Sequence, residues 1–483
     1  MLKTVPEKGL SIDEVSAQLD KIASRDMPDD SGKLFSYVYM SGRKDLRKIM
    51  DFYNAFVNKN ALDFTVFPSS MAIENDLVAL TASLLHGNSS TVGTFTSGGA
   101  ESILLSIKTG RDYFLEKRKD FTGKPEIIIP RTAHPAFVKG AQYFGLELKI
   151  APVNSETFKV EPEEVNKLIT DNTAIIVGSS PSYPVGVMDP IEELGKLAQD
   201  NDIWLHVDAC LGGFILPFFE RLGQKVEKYD FSVPGVHSIS IDFHKYGYTP
   251  KGASVLLYRN KELRRHQIFT NASWPGYPMV NTTMQSTKSI GPMVGAWATI
   301  NYLGMDSYLD LAGKVISAKQ KLLTGIKNLG FKTLGFPDSS IVTFRHDDLN
   351  IFALAELLKK DGWFLQVQPG SVELGLPASL HMTLTATHDD KIPLFLESLE
   401  KNVKNLMKDK KTEPPETLDL FREDVSAEER KNYIDLISKA LTGKGTAESG
   451  TYTINKLVRS LPHDVIEKLY AEIVNEIFKP TDA

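Results

Sequence analysis

The chain has little cysteine, no long apolar run and no surplus of positive charge. Its 483 residues include one cysteine, Cys210. That excludes an intramolecular disulfide and fits a reducing compartment. No run reaches the roughly 18 consecutive apolar residues of a membrane-spanning helix. The opening MLKTVPEKGLSIDEVSAQLDKIASRD is amphipathic and charged, without the apolar centre of a secretory signal. We therefore expect a cytoplasmic protein with no transmembrane segment, and read the sequons Asn88-Ser89-Ser90 and Asn281-Thr282-Thr283 as chance. A net charge of −6 argues against a nucleic-acid binder. No G-x-G-x-x-G opens a helix, which argues against a Rossmann dehydrogenase. There is no repeat and no low-complexity tract.

What is present is a globular composition, 42% hydrophobic and 24% charged, long enough for a large domain with one or two smaller ones. SIDE at Ser11–Glu14 reads as a capping box opening a short helix. From about residue 60, helical and strand patterns alternate. TVGTFT, EIIIP, LELKIAPV, TAIIVGSS and IWLHVDA are strand-like, and helical stretches separate them. Continuous apolar strands alternating with helices predict an α/β fold around a mostly parallel sheet, with ligands bound outside the carboxyl ends of the strands. After about residue 306 the pattern becomes α+β. DKKTEPPETLD then reads as a linker to a polar, helical tail. The expected boundaries are an N-terminal helical segment at 1–60, a large domain at 61–305, a small α+β domain at 306–408 and a helical extension at 409–483.

Four elements fall at or near strand ends. Ser97-Gly98-Gly99 sits between a strand and a helix, where backbone amides and a helix N-terminus favour an anion. His134 follows EIIIP closely and offers an imidazole for stacking. Asp208 ends an apolar strand, where a carboxylate needs a cationic or hydrogen-bonding partner. His206 and Asp208 alone make a weak metal pair, and we expect no metal site. Lys245, beside His244 in HSISIDFHKYGYTPKGASVLLYRN, lies where a strand turns into the interior. A buried ammonium there is costly unless paired, or unless the amine is bonded to an aldehyde cofactor. Phosphate cradle, stacking ring, carboxylate and lysine together are what pyridoxal phosphate needs.

The order TSGGAES, AHPAF, HVDACLGGF and DFHKYG resembles the group II pyridoxal-phosphate decarboxylase family, and within it the sphingosine-1-phosphate lyases, over roughly residues 30 to 400. FSYVYMSGRKDLRKI and FPSSMAIENDLVAL resemble that branch as well. The resemblance implies a fold-type I enzyme with an aminotransferase-like large domain, forming a homodimer with shared active sites. It implies that Lys245 captures the cofactor aldehyde, His134 stacks on the ring and Asp208 pairs with the ring nitrogen. Gly98, Gly99, Ala100 and His244 fall at phosphate-binding positions, and Tyr39 and Lys251 at positions for the substrate phosphate. Three departures stand out. Asp63 replaces a family histidine, and Ala100 replaces a hydroxyl residue. Ser286-Thr287-Lys288 replaces a Gly-Ser-Arg segment lent to the neighbour's cofactor phosphate, with Thr287 keeping the hydroxyl. The implied activity is carbon–carbon cleavage of a phosphorylated long-chain base to an aldehyde and phosphoethanolamine. The alternative is an aromatic or acidic amino-acid decarboxylase on the same scaffold. A catalytically dead scaffold with a partner-binding tail is disfavoured by the intact Lys245, Asp208 and His134.

Overall fold

The computed structural model describes residues 5–408 apart from 25 and 373, together with 454–455, 458–459 and 462–478. Helix α1 (Ile12–Ala23) begins with the capping box, Ser11 and Glu14 each bonding the other's backbone. Helices α2 (Ile49–Phe56) and α3 (Pro68–Leu84) follow, the latter with proline in its first turn, where no amide is needed.

Seven strands then build the main sheet: β1 (Val92–Thr96), β2 (Glu126–Pro130), β3 (Glu147–Ala151), β4 (Thr173–Ser179), β5 (Trp204–Asp208), β6 (Val236–Asp242) and β7 (Ser254–Tyr258). Their order is β1-β7-β6-β5-β4-β2-β3. Only β7 runs against its neighbours. The carboxyl ends of β1 to β6 therefore share one edge of the sheet. Helices α4 (Gly99–Lys117), α5 (Ala136–Phe144), α6 (Pro162–Leu168), α7 (Ile191–Asp200), α8 (Leu216–Arg221) and α9 (Lys261–Arg264) connect or follow the strands. Period-two alternation splits each strand between two cores. Ile127, Ile129, Ile175, Val177 and Trp204 pack with α4 and α5. Ile128, Ile176, Leu205 and Val207 pack with residues of α3, α7 and α8. Burial on both faces explains why these strands read as unbroken apolar runs.

A short antiparallel ribbon, β8 (Phe269–Asn271) with β9 (Met279–Asn281), was not expected from the sequence. Helix α10 (Gly291–Asn328) is broken at Gly304, whose φ of +62° is left-handed. It leads to a four-stranded antiparallel sheet, β10 (Lys332–Thr333), β11 (Ile341–Arg345), β12 (Gln366–Gln368) and β13 (Ser379–Thr383), in the order β10-β11-β13-β12. Helices α11 (Ile351–Lys360) and α12 (Ile392–Lys408) complete this region. Of the extension expected at 409–483, most lies outside the described residues, and His463–Ile477 is helical. Among the described residues, no helix is long and apolar enough to cross a membrane.

Candidate active site

Sheet register lines up the polar groups. Ser179 pairs with Asp208, and Asp208 with Ser240, at the carboxyl ends of β4, β5 and β6. Asp208 is buried at the end of a wholly buried strand. Its Oδ1 accepts the Cys210 amide at 3.0 Å and the Ser240 hydroxyl at 3.4 Å.

One strand over, β6 ends at Asp242 and the chain turns at once through His244 and Lys245. Lys245 Nζ lies 2.9 Å from Asp242 Oδ2, and His244 Nε2 lies 3.7 Å from the same oxygen. Burial pulls the Lys245 ammonium down, but the Asp242 carboxylate overrides it and holds the group above its ordinary value. Burial likewise pushes the Asp242 carboxyl up, and the Lys245 and His244 cations bring it below the usual range. The pair at this distance gains on the order of 5 kcal/mol at an effective dielectric near 20, comparable with the several kcal/mol lost in desolvating each ion. The interior lysine is thus tolerated through an aspartate three residues before it. Sequence reasoning missed Asp242, although its place at the strand end in IDFHK was the available signal.

The glycine turn packs on the same carboxylate. A Cβ on Gly99 would lie 2.8 Å from Cys210 Sγ and 2.9 and 3.0 Å from the Asp242 oxygens. Only glycine fits that approach. Gly99 opens α4, so the amide end of a 19-residue helix faces the cleft. Glu101 fixes the turn by accepting the Ser97 amide at 2.6 Å and the Met284 amide at 2.7 Å. His134 is oriented by its Nδ1, which accepts the Ala136 amide at 3.1 Å.

A cleft of about 510 Å³ brings together Gly98, Gly99, Ala100, His134, Asp208, His244, Lys245, Tyr39 and Lys251. The Lys251 ammonium lies 5.2 Å from the centre of the Tyr39 ring. A second chamber of about 540 Å³ adjoins it and shares Tyr39, His244 and Lys251 as walls. Thr287 does not line the cleft; it is exposed, beside Lys288, whose Nζ reaches the Phe95 carbonyl at 3.4 Å. Asp63 does not line it either, and accepts the Thr65 amide at 2.8 Å and the Thr65 hydroxyl at 2.5 Å. The donor set fits pyridoxal phosphate: a lysine, a buried carboxylate at a strand end, and a glycine cradle that a Cβ would fill.

Comparison with known proteins points to the same cofactor. A sequence model of the pyridoxal-dependent decarboxylase conserved domain matches residues 3–345. A sphingosine-1-phosphate lyase of Oryza sativa subsp. japonica is 39% identical over 408 residues, which is 83% of this chain and 74% of that protein. Sphingosine-1-phosphate lyase 1 of Rattus norvegicus is 35% identical over 414 residues, 85% of this chain and 71% of that protein. Among solved structures, a sphingosine-1-phosphate lyase of Burkholderia pseudomallei K96243 superposes with a TM-score of 0.79 at 31% identity, covering 85% of this chain and 94% of that one. A glutamate decarboxylase of Lactobacillus brevis CGMCC 1306 shares the fold, with a TM-score of 0.74 at 20% identity over 84% of this chain and 95% of that one.

Proposed function

The chain belongs to the pyridoxal-dependent decarboxylase family and, within it, to the sphingosine-1-phosphate lyases; from that premise we propose how its own residues carry out the cleavage. The protein is a pyridoxal-phosphate-dependent carbon–carbon lyase that cleaves sphingosine-1-phosphate by a retro-aldol reaction. The C2–C3 bond breaks, the C3 hydroxyl proton leaves as the aldehyde forms, and C2 takes up a proton to give phosphoethanolamine. When bound, pyridoxal phosphate supplies the electron sink for the pair left on C2.

The observation that carries this assignment of roles is the convergence of Lys245, Asp208 and the Gly98–Ala100 turn on one cleft. Lys245 would hold the cofactor through its aldehyde. With the cofactor and substrate in place, its amine would be positioned to move a proton at C2, with Asp242 2.9 Å away to hold the ammonium. Asp208 would keep the ring nitrogen protonated, and His134 would stand against the ring. Gly98, Gly99, Ala100 and His244 hold the cofactor phosphate. Tyr39 and Lys251 would hold the substrate phosphate and, with the cofactor anchor, orient the C2–C3 bond for cleavage. Positioning of that kind is worth several kcal/mol of barrier.

The second chamber supports a long-chain substrate over a small amino acid. Met40, Leu46, Ile49 and Met50 line it together with Arg43, Lys44 and Arg47. We further propose a homodimer in which Thr287 and Lys288 complete the partner's phosphate site. Thr287 is exposed in a segment that also leaves the large apolar side chains of Trp274, Tyr277, Val280 and Met284 exposed on one chain. The single cysteine supports a cytoplasmic setting. The deciding experiment is a product assay with sphingosine-1-phosphate. Phosphoethanolamine and a long-chain aldehyde are expected. Carbon dioxide released from an aromatic or acidic amino acid, with no cleavage of the lipid, would replace the lyase reading with the decarboxylase one.

A further inference from the structure

Below Asp208 lies a row of buried polar side chains to which the reaction described above gives no role. Trp204, His206 and Asp208 alternate onto one face of β5, and Ser238 and Ser240 sit beside them on β6, with His206 opposite Ser238 and Asp208 opposite Ser240. Trp204, His206, Ser238 and Ser240 are all fully buried. Trp204 Nε1 donates to Ser238 Oγ at 3.0 Å. Ser238 Oγ lies 2.8 Å from His206 Nδ1. Ser240 Oγ lies 3.3 Å from His206 Nε2 and donates to Asp208 Oδ1 at 3.4 Å.

The two ends of the row set its polarity. An indole can only donate, and an ionised carboxylate can only accept. With the Trp204 N–H on its oxygen, Ser238 passes its own hydrogen to His206 Nδ1. The Nε2–H then faces Ser240, and the Ser240 hydrogen is directed to Asp208. In this arrangement every hydrogen in the row has an acceptor, and the Cys210 thiol also donates to Ser240 Oγ, at 3.3 Å. Burial drives the His206 imidazolium down to about 4, so the ring is neutral near pH 7, with one nitrogen to donate and one to accept.

We propose that Trp204, Ser238, His206 and Ser240 form a directed hydrogen-bond row that orients the Asp208 carboxylate toward the cofactor ring nitrogen, making His206 and Ser240 positioning residues for the reaction. This rests on the assignment of Asp208 to that nitrogen. It gives His206 a structural reason to be histidine: no other side chain is neutral near pH 7 while accepting on one ring atom and donating from another.

The test compares Ser240→Ala, Ser240→Thr and Asp208→Asn in the full chain. Ser240→Ala is expected to weaken the dissociation constant for pyridoxal phosphate and to shift the pH dependence of the bound cofactor's visible band. It should lower kcat about tenfold with KM nearly unchanged, the worth of one hydrogen bond to a charged group. Ser240→Thr keeps the hydroxyl and should restore all three. Should Ser240→Ala fail to fold, Ser238→Ala, one step further from the carboxylate, carries the same expectation in direction. In the apoprotein, ring ¹⁵N resonances of His206, identified by their loss in His206→Asn, should show an unprotonated Nδ1 that does not titrate near neutral pH. A protonated Nδ1 would overturn the polarity. A Ser240→Ala enzyme with parental affinity, spectrum and kcat would overturn the row, while Asp208→Asn still impaired would leave the role of Asp208 standing. If Asp208→Asn were unimpaired as well, the reading of the site itself would fail.

Discussion

At the ends of β5 and β6, charge is matched within a single chain: Lys245 rests 2.9 Å from Asp242, and Asp208 is held by the Cys210 amide and the Ser240 hydroxyl. The segment at 269–288 is built the opposite way. Phe269, Trp274, Tyr277, Val280 and Met284 are all exposed, and Ser286 and Thr287 face solvent. Its ties to the cleft run through Glu101, which accepts the Met284 amide, and through Lys288, which reaches the Phe95 carbonyl. The first region owes its geometry to strand register, which fixes side chains on adjacent strands within fractions of an ångström. The second has the composition of a surface that another copy would cover. Electrostatic poise is therefore intrinsic to one subunit, while closure of the cofactor phosphate site is left to the proposed dimer. Variants in the two regions should fail in different ways.

The largest effects belong to the interior region. Lys245→Ala should abolish turnover, and borohydride should no longer fix cofactor to the peptide holding that position. Label recovered on another lysine of the parent protein would remove Lys245 from its role. Asp208→Asn should retain some cofactor yet turn over roughly 10²- to 10³-fold more slowly, in line with the 3–5 kcal/mol lost when one partner of a buried charge pair is removed. Near-parental turnover would show that ring protonation is not its task.

Those two residues were legible because parallel strands read as apolar runs, and a charge at the end of such a run stands out. The glycine turn was legible for the same reason. Asp242 was not, since the strand-end position that marks it was overshadowed by the neighbouring His-Lys pair. The surroundings of His206 were not legible either, because the sequence does not show that β6 places two serines against its ring. The β8–β9 ribbon was hidden by its three-residue strands. The role proposed for Thr287 rests on a second chain, and one sequence carries no register between copies.

Asp242→Asn sharpens the interior half of the comparison. Without the carboxylate, burial pulls the Lys245 ammonium down against only the smaller upward pulls of Tyr39 and Cys210, where Asp242 now holds it up. Capture of the cofactor aldehyde requires the neutral amine. The pH dependence of cofactor uptake by the apoprotein, followed by absorbance, should therefore shift toward lower pH. The apoprotein should also melt at a lower temperature, since His244 and Lys245 lose their shared partner. An unchanged uptake profile would show that the ion pair does not set the state of the lysine.

The exposed half is tested by subunit mixing. A Lys245→Ala chain keeps its own Thr287 and Lys288, and a Thr287→Ala, Lys288→Ala chain keeps its own Lys245. Each alone should be impaired, the second less than the first. A mixture should regain activity, because one of the two sites in a mixed dimer combines an intact lysine with an intact phosphate segment. Full activity in a protein shown by sedimentation to be monomeric would break the comparison.

The smallest effect is expected at Lys251, between the two chambers. Its ammonium lies 5.2 Å from the centre of the Tyr39 ring and 3.5 Å from the His244 carbonyl, a long hydrogen bond. Crowding by the cleft walls first, and the charge of Lys245 second, hold this ammonium below the ordinary lysine value, with Asp242 opposing them. A cation held down in this way gains from an arriving anion, and the substrate phosphate is that anion. Substrate should therefore bind the protonated form, and KM should begin to rise below the ordinary lysine pKa of about 10.4 as the pH is raised. Lys251→Ala should raise KM roughly tenfold for the phosphorylated base, consistent with one charge-assisted contact of about 1.5 kcal/mol or more. Cofactor affinity should be unchanged. Lys251→Arg keeps the charge to higher pH, so its KM should stay flat where the parent's climbs. A parent KM that is independent of pH up to about 10, together with an Ala variant indistinguishable from it, would leave Lys251 as a cation at the cleft mouth with no part in holding the substrate.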